Sequence, residues 1–366
     1  GIRSQRVILR SESNFHFSHL RSQIIERRMT TSNADLPVLL ITLGDPAGVG
    51  PEVTVKGVVE EAARSRVIPV IVGDVRVVSS AAGKWAQGFS VKKVESPRLA
   101  KVGPKVINVL DIANCAPAQF KIGEVAAYTG NAAYEYVVRA AELCLTGEAD
   151  GIVTAPLNKK AMVMAGHEFD GHTGLLAHLC NVDTQYMILG SPKLRVIHLT
   201  THLSLVDALK LVKTDRIVKC TRAANDHAKQ LGFEKPRIAV CGVNPHSGDG
   251  GLFGVEEAEE IAPAIEILRA DGIDVDGPVS PDSAYRIAYE GGYDIVVAMY
   301  HDQGHIPMKL AAFESGVNIT HGLPIIRTSV DHGTAFDIAW QGTASHKNML
   351  AAIDYAYLLV TGSGTS

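Results

Sequence analysis

"IVVAMYHDQGHIPMKL", residues 295–310, is an apolar run that stops at His301-Asp302, with Gly304, His305 and Lys309 just beyond. An ordinary loop after a strand needs only a turn, whereas this one delivers a cluster of titratable side chains. Two further runs share the design. "LRVIHLTTH" (194–202) ends in His202, and "RIAVCGVNPH" (237–246) ends in His246. Between the three lie the helical periods "SLVDALKLVKTDRIVKCTRAANDHAKQLG" (204–232) and "EEAEEIAPAIEILRADG" (256–272). Upstream, "VLLITLG" (38–44), "VIPVIVGD" (67–74), "KVINVLDI" (105–112) and "DGIVTAP" (150–156) are short apolar runs separated by further helical stretches. Apolar runs alternating with helices predict an α/β fold with a mainly parallel sheet covered on both faces. In such sheets ligands sit at the carboxyl ends of the strands, where the three histidines fall.

The chain of 366 residues is 46% hydrophobic, enough for a large core and, as a prior, two domains. A net charge of −4 and a pI near 6.4 provide no basic field for nucleic acid or an anionic membrane. No apolar stretch is long enough to span a bilayer. The five cysteines form no C-x-x-C pair and lie mostly in apolar runs, as buried thiols of a reducing compartment do. The expectation is a cytoplasmic protein. Residues 1–28 are rich in Arg and Ser and lack core periodicity. With the following residues to 36 they are expected to form an extension outside the fold.

A single histidine after a strand is ordinarily a hydrogen-bonded structural residue. Three in the same context suit a divalent transition metal with positions left open for substrate, and Asp302 is placed to orient one of them. Arg327 in "GLPIIRTS" (322–329) offers a planar fork to phosphate or carboxylate, and Lys309 offers a point charge. His172 and Thr173 in "FDGHTG" (169–174) add donors, although an N-terminal helix cap would also explain them. "GDPAGVGP" (44–51) joins a strand to a helix but matches neither nucleotide fingerprint, so it is read as a stiff structural turn. Glu256-Glu257 is read as the acidic first turn of the next helix.

Read in order, "GDPAGVGPE", "TAPLNK", "GHTG", "TTH", "NPHSGDGG", "MYHDQGH", "GVNITHGLP" and "RTSVDHGTAFDIA" resemble the 4-hydroxythreonine-4-phosphate dehydrogenases from about residue 38 to the C-terminus. The resemblance implies a homodimer whose subunits have two α/β/α domains with a cleft between them, like the isocitrate and isopropylmalate dehydrogenases. By analogy, residues 37–145 plus 315–366 would form the first domain, on the NAD side, and 146–314 the second. It also implies a divalent metal (zinc, magnesium, manganese or cobalt) on His202, His246 and His301, with His301 facing the partner's other two. Substrate would be bound by His172, Thr173, Lys309, Asn318 and Arg327. "HGTAFDIAWQGTA" (332–344) is similar to an adenosine-binding loop, which points to His332, Gly333, Thr334 and Asp337 for NAD. Asp302 and Lys309 are the candidate proton acceptors.

Within the family, "APLNK", "VIHLTTH", "GLFG", "AMYHDQGHIPMKL" and "TAFDIAW" are closer to a branch oxidising 4-phospho-D-threonate and 4-phospho-D-erythronate. These substrates carry a C2 hydroxyl where the pyridoxine-pathway substrate carries an amine. Gly174 departs from a usual Glu after "GHT", and His321 from a small or aliphatic residue. The implied reaction is oxidation of the C3 hydroxyl followed by loss of CO2, giving dihydroxyacetone phosphate. The competing expectations are 4-phosphohydroxy-L-threonine as substrate, a metal-binding paralogue that senses ligand without turnover, and an acyltransferase acting on phosphate.

Overall fold

The computed structural model describes residues 36–363, except 101, 102 and 104. The expected extension at 1–36 lies, but for Leu36, outside the described residues. Strands are β1 (Val38–Thr42), β2 (Ile68–Gly73), β3 (Ser90–Lys93), β4 (Val106–Asp111), β5 (Gly151–Thr154), β6 (Tyr186–Gly190), β7 (Arg195–His198), β8 (Ile238–Cys241), β9 (Val275–Val279), β10 (Ile295–Ala298), β11 (Val317–His321) and β12 (Arg327–Val330). The helices between them begin with α1 (Gly50–Arg64), α2 (Val75–Trp85), α3 (Ala127–Leu145), α4 (Lys159–Met164) and α5 (His172–Leu179). They continue with α6 (Leu205–Lys210), α7 (Thr214–Gln230), α8 (Ala262–Ala270), α9 (Pro281–Tyr289), α10 (His301–Ala312) and α11 (Lys347–Thr361). The fold is α/β, as the alternation of runs predicts.

All twelve strands of the described residues join one sheet in the order β3-β4-β2-β1-β5-β12-β11-β6-β7-β10-β8-β9. Pairings are parallel on both flanks and antiparallel only at the seam β12–β11–β6–β7 among the described residues. Three reversals in succession leave the two parallel blocks running in opposite directions. β1 reads "VLLIT" with no polar alternation because every residue is buried under helices on both faces. β5 falls in the stretch assigned to the second domain, yet it is hydrogen-bonded between β1 and β12. At the level of the sheet it belongs to the first block, because its crossover helix α3 packs back on β1 and β2.

The sheet register places the site. Side chains alternate faces along a strand, and the pairings Asn318↔Ser329 and Ser329↔Thr154 set those three on one face. Arg327 and Thr320, two residues along, share it. The pairings Asn318↔Leu189, Leu189↔Val196 and Ala298↔His198 carry the same face across the seam to β7 and β10. There, α10 buries Met308 and Ala312 against Val196, Val296 and Ala298. Since β7, β10 and β8 are parallel neighbours, their carboxyl ends, leading to His202, His301 and His246, emerge side by side.

Candidate active site

Arg327 is buried on that face. One guanidinium nitrogen donates to Thr320 Oγ1 (2.9 Å) and lies 3.5 Å from Asn318 Oδ1, while the other donates to Thr154 Oγ1 (2.8 Å). Its Nε is buried with no protein partner. Burial pulls its pKa down to about 9, with no carboxylate among the described residues to oppose the shift. A buried guanidinium without a counter-ion is costly, and an anionic ligand would remove that cost. His172 opens α5 beside it, and its Nε2 is also buried and unpartnered. Burial, then the charges of Arg327 and Lys159, hold His172 well below the usual imidazole range, so it is a neutral ring. Arg327, Asn318 and His172 thus come together. Thr154, Thr320 and Lys159 are additions. Thr154 and Lys159 lie in "TAPLNK", and their signal was that motif, whereas Thr320 carries no local signal at all.

Gly174 acquires a physical explanation. A Cβ there would lie 2.3 Å from Asp170 Oδ1, so the Asp170 carboxylate occupies the space a larger side chain would need. His202 senses Asp170 as well, and it is lowered by burial, then by Lys159 and His301. Lys159 and Asp170 therefore stand between the anion pocket and the histidine edge.

At that edge the rings of His202 and His301 have centroids 5.8 Å apart, a separation at which two imidazoles can face a common cation. His301 Nδ1 is 2.7 Å from Asp302 Oδ1. This leaves Nε2 as the outward nitrogen, the arrangement in which a carboxylate fixes the tautomer of a metal-binding histidine. His246 does not join them. It lies 3.8 Å from Asp282, and among the described residues no three His, Cys, Asp or Glu side chains gather as a metal would require. The resemblance sets His301 opposite a partner's pair, but within one chain His301 sits beside His202. The reason is the direct pairing of β7 with β10. His246 is carried away by a run of left-handed residues, with φ of 52°, 55°, 82°, 44° and 69° from His246 to Gly250. One chain thus brings together two imidazoles that could serve a divalent cation, and among the described residues no third donor joins them. A cavity of about 320 Å³ opens at the pair, lined by Leu203 and Leu205 as well as His202, Tyr300, His301 and Asp302.

Lys309 and Asp302, the candidate proton acceptors, are both engaged. Lys309 Nζ donates to the Asp331 carboxylate (2.5 Å) and to its carbonyl (3.1 Å), which ties α10 to the start of loop 332–344. Glu257 stands in the first turn of the helical segment Glu257–Ile261, as expected, and has a second role. It is buried and accepts from Val243 N, Asn244 N and Asn244 Nδ2, clamping the loop that carries His246.

The loop 332–344 is shaped by the Gly-rich turn, in line with the structural reading of that turn. Val49 N donates to Thr334 O, and Trp340 Nε1 to Pro46 O. Gly44, at φ +69°, lets β1 turn against Pro156 O, which a Cβ would approach to 2.4 Å. Buried Glu52 accepts from Gly342 N (3.0 Å) and Ala344 N (2.9 Å). In this frame His332 Nε2 is buried without a partner, Gly333 faces open space, and Asp337 is exposed. Thr334 is buried, its carbonyl committed to Val49.

Residues 65–356 match the family model described as pyridoxal phosphate biosynthetic protein PdxA. The chain belongs to the PdxA family. Its relatives there are named as dehydrogenases. It is 47% identical over 323 residues to D-threonate 4-phosphate dehydrogenase of Pectobacterium atrosepticum, covering 88% of this chain and 99% of that protein. It is 45% identical over 328 residues to 4-hydroxythreonine-4-phosphate dehydrogenase of Trichlorobacter lovleyi, covering 88% and 98%. The crystal structure of 4-hydroxythreonine-4-phosphate dehydrogenase from Klebsiella pneumoniae superposes with a TM-score of 0.81 at 44% identity, covering 88% of this chain and 99% of that one. No described helix of this PdxA family member is long and apolar enough to cross a membrane.

Proposed function

We propose that the protein catalyses NAD-linked, divalent-metal-dependent oxidation of the C3 hydroxyl of a 4-phosphorylated four-carbon acid. The resulting 3-keto acid then loses CO2. With 4-phospho-D-threonate or 4-phospho-D-erythronate the product is dihydroxyacetone phosphate. The observation that carries the reading is Arg327, a buried guanidinium held by neutral groups beside the orphaned Nε2 of His172. That is an anion receptor built before its ligand arrives, and a histidine pair lies at the neighbouring strand ends.

The roles of the side chains follow from their positions. The guanidinium fork, oriented by Thr154 and Thr320, receives the phosphate, with Asn318, His172 and Thr173 alongside. Charge-assisted bonds remote from the reacting carbon position the substrate. Lys159, beside both His172 and His202, meets the substrate carboxylate. His202 and His301 would hold the cation, with His246 as the expected third donor. His332 and Gly333 offer NAD its contacts, with Thr334 and Asp337 in the same loop. When bound, a divalent cation supplies Lewis acidity at the C3 hydroxyl and NAD takes up the hydride. Asp302 and Lys309, engaged with His301 and Asp331, keep those elements in place.

The homodimer belongs to the same reading. Ile306 and Leu310 on α10, with Phe313 at its C-cap, form an exposed apolar stripe, with Leu310 88% exposed. Leu203, Leu205 and Val206 are exposed at the histidine edge, and Leu252 and Phe253 are exposed just after the loop that carries His246. Apolar surface of this kind marks an interface, and it surrounds the part of the site that one chain leaves incomplete.

One feature favours a second substrate. The Asp170 carboxylate near His202 and Lys159 would attract the amine of 4-phosphohydroxy-L-threonine. The test is NADH formation from the two phospho-sugar acids and the amino substrate, each with and without chelator. Chelator-sensitive turnover of a phospho-sugar acid is the expected result. Preference for the amino acid would move the protein to pyridoxal phosphate synthesis, and silence with all three would favour a non-catalytic ligand-binding role.

A further inference from the structure

The segment His301–Lys309 has an occupation for most of its residues, but the reaction above leaves His305 unused. Gln303 is buried, accepts from Met299 N and donates to Gly242 O, so it fixes the turn from β10 into α10. Gly304 is there because a Cβ would stand 2.3 Å from His198 Nε2 and 2.8 Å from Val196 Cγ1. That close approach brings His305 against two other rings. It stacks on His301 with centroids 3.6 Å apart and planes 11° from parallel. Its Nδ1 lies 3.1 Å from His301 O, which fixes its own rotation. On its other side is the ring of His198 at 4.7 Å, itself buried and anchored 3.3 Å from Met187 O.

Four imidazoles therefore run from the interior to the cleft in the order His198, His305, His301, His202. We propose that His305, backed by His198, is a positioning residue whose ring holds the plane of His301 so that its Nε2 is presented beside His202 to a divalent cation. The inference rests on the reading of His202 and His301 as cation ligands. The need for such a brace follows from exposure. His301 is 36% exposed at the first turn of a helix, and Asp302, which holds its Nδ1, is itself 70% exposed. An exposed hydrogen bond alone leaves the ring to swing about its bonds, and ordering it on binding costs side-chain entropy. A flat ring stacked on its face removes that freedom beforehand.

The experiment uses the full chain with Co2+ alone as probe, read by competition against a chromophoric chelator and by the visible Co2+ spectrum. His305→Leu conserves volume without a flat ring, and His305→Phe restores the ring. His301→Ala tests the ligand reading, and urea midpoints confirm that each variant is folded. The expected result is that His305→Leu weakens Co2+ about 10- to 100-fold, the range for groups that orient a ligand, and alters the visible bands. His305→Phe should stay within about threefold of the parent protein, while His301→Ala abolishes the Co2+ signal. Parent-like binding by His305→Leu, with binding lost in His301→Ala, would overturn the positioning role and leave the ligand reading standing. Equal losses in the Leu and Phe variants would overturn stacking as the cause. Parent-like binding by His301→Ala would remove the ligand reading and this inference with it.

Discussion

The two ends of the candidate site are built differently. The anion pocket around Arg327 is closed within one chain, buried, and assembled from residues whose face is dictated by sheet register. The histidine edge is open, has two converging rings, leaves His246 with Asp282, and is bordered by exposed apolar side chains. On the proposed reading, recognition of a phosphate is a property of the protomer, whereas metal chemistry depends on what meets it from outside. Sheet hydrogen bonds can hold a pocket rigidly, but strand ends hand their side chains to loops, and loops need a second surface.

Removing metal should show the largest effect. Chelation is expected to lower turnover about 1,000-fold or more, in keeping with several kcal/mol of Lewis-acid stabilisation. Protection of the protein by inorganic phosphate in a thermal-shift assay should survive it. Loss of phosphate protection on chelation would break the comparison, since the two ends would then be one unit. Arg327→Met should do the converse. We expect kcat/KM to fall about 100- to 1,000-fold, as for a lost charge-assisted fork, while Co2+ affinity stays unchanged. Replacing a buried charge by an apolar side chain of similar length should also leave stability near neutral.

The next effect is on assembly. Leu310→Glu combined with Phe313→Glu places charges on the exposed stripe and should convert a dimer to monomer by light scattering. Turnover should fall about tenfold or more at equal subunit concentration, with phosphate protection again retained. A fully active monomer would show the histidine edge to be complete without a partner. The smallest effect concerns pH. His172 is neutral in the fold because burial lowers its pKa, whereas the unfolded chain titrates near the ordinary value. Stability is therefore full above that value and is lost as pH falls below it, because the unfolded state takes up the proton. Between pH 7.5 and 5.5 this group should cost the folded state roughly 1 kcal/mol. His172→Asn should flatten that difference in urea-denaturation curves, and an unchanged slope would place a charged ring in the pocket.

The fold class was legible because buried parallel strands need no polar alternation, and runs such as "VLLIT" and "IVVA" show it. Strand direction was not. β6, β11 and β12 are short runs whose side chains look alike whether the strand runs up or down, so the antiparallel seam and the place of β5 beside β12 emerge only in three dimensions. Arg327 and His172 could be named from their chemistry, but Thr320 needed the register to be seen at all. In the sequence His246 is the equal of His202 and His301, because all three follow apolar runs. The left-handed backbone at His246, Ser247 and Asp249 separates it, and non-glycine residues rarely advertise that conformation. Lys309 illustrates a further limit, since a lysine suited to phosphate is silent about the aspartate that reaches it first.

That ion pair has a mechanical consequence. α10 begins at His301 and, two turns on, is bolted through Lys309 to Asp331, the residue before His332. Helix and loop are therefore joined by a direct side-chain contact, in addition to their connection through the sheet.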